Sequence, residues 1–403
     1  MREALRHREI RALLLATLVS TAGDQLARVA LMVLVYDRTG SALLSGVTYA
    51  STFLPALVGA PLLGGLADRR PRRQVMIAAD LLRVLLLCLL AIPGIPVAAA
   101  LALVVVVTLV ECPFDAARAA LLPSVAGDLY LPALALDRAA QQSAQVAGFA
   151  AGGLVLTVLD PSVALLLDAL TFAVSALVVA RRVGHRPAVA APAGRQAILS
   201  DLRAAWRVVL TDPLTRRPVL FVWLTCAVAC VPEGLAAPYA AELRGGGATV
   251  ALLMVANPIG NTLSGLLLTR TPVRRQPLLL TPLSLLVGVA LAACLFRPET
   301  PELVGLVALS GAGMALSVLA RAQFVARVPD AERGRAFSLA AAGITVAQGI
   351  SVAAAAAVAD VVAPSVVVGA AGLAGVVATG VLALTHRTPR TAPFTAPTAA
   401  LAD

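Results

Sequence analysis

Of the 403 residues, 59% are hydrophobic and 13% charged, and the mean hydropathy is +0.89, too little polar surface for a soluble domain of this length. The net charge of +10 comes from arginine alone, because the sequence contains no lysine. A P-loop of the G-x-x-x-x-G-K type and Schiff-base chemistry are thereby excluded, and arginines in short clusters between apolar runs argue against nucleic acid as a partner.

Apolar stretches of roughly 20 residues, the length that crosses about 30 Å of hydrocarbon, predict twelve membrane spans. They run 11–36, 42–67, 74–92, 97–119, 138–159, 162–181, 218–240, 248–269, 277–296, 302–322, 336–359 and 365–386. The N-terminal residues superficially resemble a signal peptide, but the apolar run continues to Val35 with no clear cleavage site, so it reads as the first span. Residues 1–181 form an N-terminal six-helix half and residues 218–386 a C-terminal one, joined by the hydrophilic stretch 182–217. Within that linker Ile198, Leu202, Trp206 and Val209 recur at helical spacing opposite Asp201, Arg203 and Arg207, which predicts a short helix lying on the membrane surface. The Thr/Pro/Ala-rich tail, 387–403, reads as disordered. The expected fold is an all-α integral membrane protein of two pseudo-symmetric halves.

Arginines crowd alternate loops, whereas the other set holds only Arg38, Arg244 and Arg297, which places both termini in the cytoplasm. Two landmarks repeat at about the same offset. The cluster Asp68-Arg69-Arg70-Pro71-Arg72-Arg73 has a weaker echo at Arg270, Arg274 and Arg275, and Arg118 before Pro123 is matched by Arg321 before Pro329. Half-length repetition in so apolar a chain marks a secondary transporter. All five cysteines lie in apolar runs and the three histidines in cytoplasmic segments, so no metal site, no cofactor and no histidine relay is expected.

Charges within hydrocarbon are costly and usually functional. Asp24 lies about 13 residues into span 1, roughly 20 Å along the helix and near the midplane, and Arg28 one turn on is placed to pair with it. Glu233, between Pro232 and Gly234, and Asp24, after Gly23, put a carboxylate beside helix-weakening residues at corresponding places in the two halves. An apolar setting favours the neutral form of a lone carboxylate, so Glu233 is the preferred proton carrier, with Asp24 and Glu111 as further candidates. Glu111, Asp115 and Arg118 follow one side of span 4 and are placed to bond with the arginines at 69–73. Gln25, Arg28, Tyr49, Gln145, Asn257, Asn261 and Gln348 are candidate substrate contacts, and interhelical hydrogen bonds are an equal reading for each.

Gly64, Asp68, Arg69, Arg72 and Arg73 fit the loop pattern G-x-x-x-D-R-x-G-R-R. With Arg118-Ala-Ala-Leu-Leu-Pro123, Asp168-Ala-Leu-Thr-Phe172 and Arg333-Gly-Arg335, the chain resembles the major facilitator superfamily, in particular its drug:proton antiporter branch of macrolide and enterobactin exporters. The resemblance implies twelve helices, alternating access and proton-coupled export of small hydrophobic or amphipathic compounds from a bacterial inner membrane by a monomer. It implies a cytoplasmic gating role for Gly64, Asp68, Arg69, Arg72, Arg73, Asp115 and Arg118. Gly148, Gly152 and Gly153 retain the glycines of the span-5 packing pattern G-P-x-x-G-G without its proline. Because of that loss, a facilitator or importer of an organic solute stays open beside the exporter. The superfamily also places spans 3 and 6 at the bundle periphery, so Asp80, Arg83 and Asp168 are expected to be structural. A non-transporting sensor would need an output domain that these short loops do not offer, and nothing within the spans suggests an enzyme.

Overall fold

The computed structural model describes residues 2–63, 70–186, 213–268, 270–271, 278–328 and 330–385, and every regular element among them is helical. After the short α1 (Arg2–Arg6), span 1 is α2 (Arg8–Thr39) and span 2 is divided into α3 (Ala42–Ala50) and α4 (Leu54–Leu63). Spans 3 to 6 are α5 (Arg72–Leu90), α6 (Val97–Ala126), α7 (Tyr130–Val158) and α8 (Pro161–Arg182). In the second half span 7 comes in three pieces, α9 (Pro213–Ala229), α10 (Val231–Gly234) and α11 (Ala236–Glu242), followed by α12 (Gly247–Leu268) and α13 (Leu280–Ala292). Span 10 is α14 (Thr300–Gly313) with α15 (Leu316–Arg327), and α16 (Asp330–Ala359) and α17 (Pro364–Thr385) complete the chain. Helix thus occupies each of the twelve expected spans. Among the described residues, nine stretches are long and apolar enough to cross a membrane, 97–158 holding two helices. Helix α5 falls short because Arg72, Arg73, Asp80 and Arg83 share its 19 residues. The surface helix expected in the linker and the expected disordered tail lie outside the described residues.

Local chemistry explains the boundaries. Gly40 ends α2 in the left-handed region at φ 64°, its N–H bonded to the Tyr36 carbonyl, and Ser41 then caps α3 by accepting from the Leu44 N–H at 3.2 Å. Span 7 breaks on either side of Pro232 and Gly234. Span 1 does not break, contrary to the expectation from Gly23: α2 is continuous, and a Cβ at Gly23 would collide with the Thr171 and Asp168 side chains of α8. The glycine costs about 1 kcal/mol of helix propensity, and the close approach of span 6 offsets it.

The same logic organises span 5. Gly148 and Gly152 lie against α2 at Ala22 and Val29, whereas a Cβ on Gly153 would strike Ala251 of α12, in the other half. The halves also meet where Gly46 of α3 faces Ala356 of α16, and where Leu54 of α4 packs on Gly349.

Candidate functional site

The first half encloses an ion cluster built from four spans. Arg83 of α5 is 1% exposed and pairs with Asp80 at 3.2 Å and with Asp24 of α2 at 4.0 Å. Its guanidinium is sandwiched between Phe114 and Phe172, 4.7 and 4.2 Å from the ring centroids. A small cavity of about 30 Å³ beside it is lined by Asp24, Arg28, Thr52, Thr108, Glu111 and Asp168. Asp168 accepts from the Thr171 hydroxyl at 3.1 Å.

This arrangement bears on three expectations. Asp24 is paired with Arg83 rather than with Arg28, which instead lies over Phe53 at 5.9 Å. The reason is burial: a guanidinium sealed among aromatic rings is costly without carboxylates, whereas half-buried Arg28 has other recourse. Asp80, Arg83 and Asp168, expected to be structural, are buried on the inner face of their helices, Asp80 and Arg83 pairing beside Asp24 and Asp168 lining the cavity. Glu111 faces the cavity rather than the loop arginines, for Arg72 donates to the Ala120 carbonyl at 2.8 Å and Arg73 to that of Ala180. Nine residues of helix, roughly 13 Å, separate Glu111 from Ala120.

Of the expected gating set, Gly64, Asp68 and Arg69 lie outside the described residues. Arg118 donates to Asp115 at 3.4 Å, to Asp137 at 2.6 Å and to Thr17 Oγ1 at 3.2 Å, tying spans 4, 5 and 1 of the first half together. Asp137 was not among the expected residues. Beside Arg138 it reads as a loop charge, yet it is buried and also accepts from Gln141 at 3.1 Å.

Between the halves, Tyr49 Oη donates to Glu233 Oε2 at 2.5 Å, joining a substrate candidate of span 2 to the preferred proton carrier of span 7. Tyr49 is 2% exposed and edge-on to Phe53, the ring under Arg28. Nearer the end of the bundle that carries the turns after α2 and α16, Asp360 accepts from Ser41 Oγ at 3.2 Å and from the Leu43 N–H at 2.9 Å. A carboxylate of one half thus caps a helix N-terminus of the other.

The remaining polar candidates lie elsewhere. Asn257 donates to the Ala229 carbonyl at 3.3 Å, satisfying the end of α9 where span 7 breaks. Gln145 accepts from Gln142 at 3.5 Å, Gln25 is buried, Asn261 is half-buried, and the Gln348 backbone carbonyl accepts from the Cys230 thiol.

Two six-span halves around a charged interior, with polar contacts at the seam between them, fit a membrane transporter. The family is explicit as well: the model of the Major Facilitator Superfamily matches residues 13–237 and 231–402, and the chain belongs to that superfamily, a family of transporters rather than enzymes. No curated protein sequence matches the chain. Among solved structures, the nucleoside transporter NupG is similar over 93% of this chain and 98% of its own, at 15% identity and TM-score 0.70. A bacterial homologue of the iron transporter ferroportin in an inward-facing state is similar over 94% and 98%, at 16% identity and TM-score 0.69. A POT family transporter in complex with a thioalcohol-conjugated peptide is similar over 94% and 97%, at 10% identity and TM-score 0.74. At such identities these neighbours establish the fold, and the protein is a multi-pass membrane transporter.

Proposed function

We propose that the protein couples proton entry to export of small hydrophobic or amphipathic compounds across the cell membrane, with both termini cytoplasmic. The observation that carries this reading is a charge imbalance in the first half: among the described residues, Asp24, Asp80, Glu111 and Asp168 are gathered around two cations, Arg28 and Arg83. Uncompensated negative charge at membrane depth is costly, so such an interior stores protons. The Tyr49–Glu233 bond supports a route from protonation to movement. An ionised Glu233 accepts strongly from Tyr49, whereas a protonated one is a poorer acceptor, and the seam then opens more readily.

The direction of transport and the class of cargo rest on the resemblance to exporters and on the apolar lining of the spans. The test is transport in proteoliposomes under an imposed pH gradient, screened over antibiotics and dyes. Gradient-driven export that is lost in Glu233→Gln supports the reading. Movement that follows only the solute's own gradient, unchanged in Glu233→Gln, overturns coupling and marks a facilitator.

A further inference from the structure

Aromatic residues make up only 4% of the chain, yet three of them converge in the second half, away from the ion cluster. A cavity of about 110 Å³ between α9, α15 and α16 is lined by Trp223, Phe324 and Phe337 together with Val219, Ile344 and Arg321. The rings are held in place. Trp223 Nε1 donates to the Ala340 carbonyl at 2.9 Å, and its ring lies on Gly343, where a Cβ would collide with it. Phe324 and Phe337 meet edge to face with centroids 5.1 Å apart. Arg321 is exposed at the rim, its guanidinium 6.0 Å from the Phe337 centroid, and among the described residues no carboxylate pairs with it.

The position of this cavity along α16 gives it meaning. Ala356 and Gly349 of that helix face Gly46 and Leu54 of the first half. Continuing along the helix away from the Asp360 cap, Ile344 and Phe337 line the cavity. It therefore lies within the second half, farther along α16 from the Asp360 cap than that helix's contacts with the first half at Ala356 and Gly349.

We infer that this cavity is a binding subsite for a planar, apolar compound bearing one acidic group, its ring against Trp223, Phe324 and Phe337 and its anion at Arg321. Flat aromatic walls favour a planar ring by stacking and edge contacts, and a rim guanidinium without a carboxylate partner selects an anion over a cation. The inference deepens the transport reading by naming a cargo class and rests on it for its role in export.

Binding is measured without any gradient, so the two readings can fail separately. The chain has two tryptophans, Trp206 and Trp223, so a Trp206→Phe variant in nanodiscs reports Trp223 emission alone. It is titrated with 4-nitrobenzoate and with its neutral counterpart 4-nitrobenzyl alcohol. The expected result is saturable quenching by both, tighter for the acid, with Arg321→Gln weakening the acid about tenfold and leaving the alcohol within twofold. Arg321 is exposed, so this variant tests the ligand rather than the fold, and Phe324→Leu is expected to weaken both probes. Quenching that never saturates, or an acid indifferent to Arg321→Gln, overturns the subsite. Intact Arg321-dependent quenching without gradient-driven export instead retains the subsite and removes the coupling.

Discussion

The two halves solve the same packing problem with opposite chemistry. In the first, spans 1, 3 and 6 meet through charged groups: Arg83, between two aromatic rings, pairs with Asp24 and Asp80, and Asp168 lines the adjoining cavity. In the second, the corresponding spans 7, 9 and 12 meet through hydroxyls, Thr225 to Ser284 at 2.9 Å and Ser284 to Thr379 at 2.9 Å. All three hydroxyl residues are buried. A hydroxyl ladder holds helices together without changing charge, so it gives a rigid wall. An ion cluster with surplus carboxylates changes its internal balance whenever a proton arrives. On the proposed function, the first half would take up protons and the second, with its aromatic cavity, would recognise cargo.

The largest expected effect comes from unbalancing the ion cluster. Arg83→Met leaves buried Asp80 and half-buried Asp24 without their cation and should destabilise the protein by about 3–5 kcal/mol, read as a lowered midpoint of thermal unfolding in detergent. The double variant Arg83→Met with Asp80→Asn should recover part of that loss. If the single variant unfolds like the parent, the cluster is not the electrostatic centre of its half.

Next in size is the transport phenotype of Glu233→Gln. The amide oxygen can still accept from Tyr49, so the seam is kept while the titratable proton is lost. The expected outcome is at least a tenfold loss of gradient-driven transport with substrate binding little changed, measured by transport and equilibrium binding on the same preparation. Tyr49→Phe reverses the pattern: the carboxyl remains titratable, the inter-half bond goes, and pH dependence survives at altered rate.

The spans that carry these groups are legible in the amino-acid sequence, because hydrocarbon thickness imposes length and polarity on each helix separately. Pro232 with Gly234 likewise announces the break in span 7. Partners are not legible in the same way. Tyr49 and Glu233 are 184 residues apart, and helical periodicity says which residues share a face but not which helix that face meets. The i,i+4 spacing therefore suggests Asp24 with Arg28, while tertiary packing supplies Arg83. Gly23 looks like a weak point in a helix because its neighbour across the interface, Thr171 of span 6, cannot be inferred from span 1. Asp137 is hidden for a similar reason, its burial depending on how span 4 brings Arg118 across.

A smaller effect is expected at the Asp360 end of the seam. Asp360→Asn weakens the cap on α3 by about 1 kcal/mol, roughly fivefold in the population separated at that end. Spin labels at exposed Asp37 and Val361, read as a distance distribution, should show the longer distance gaining weight. An unchanged distribution would mean that the other contacts between the halves, among them the packing of Gly46 on Ala356, hold that end without the cap.

The smallest effect is the sharpest test of the comparison. Ser284→Ala removes the middle of the hydroxyl ladder, yet Thr225 and Thr379 can each turn their hydroxyls to a carbonyl of their own helix, as Thr48 does toward Leu44 at 2.7 Å. The expected loss is therefore no more than about 1 kcal/mol of stability, with the pH dependence of transport unchanged. A guanidinium in the corresponding spans has no such recourse, because one carbonyl of its own helix cannot neutralise a full charge. A pH profile displaced by Ser284→Ala would mean that the ladder moves protons, and the division of labour between the halves would fall.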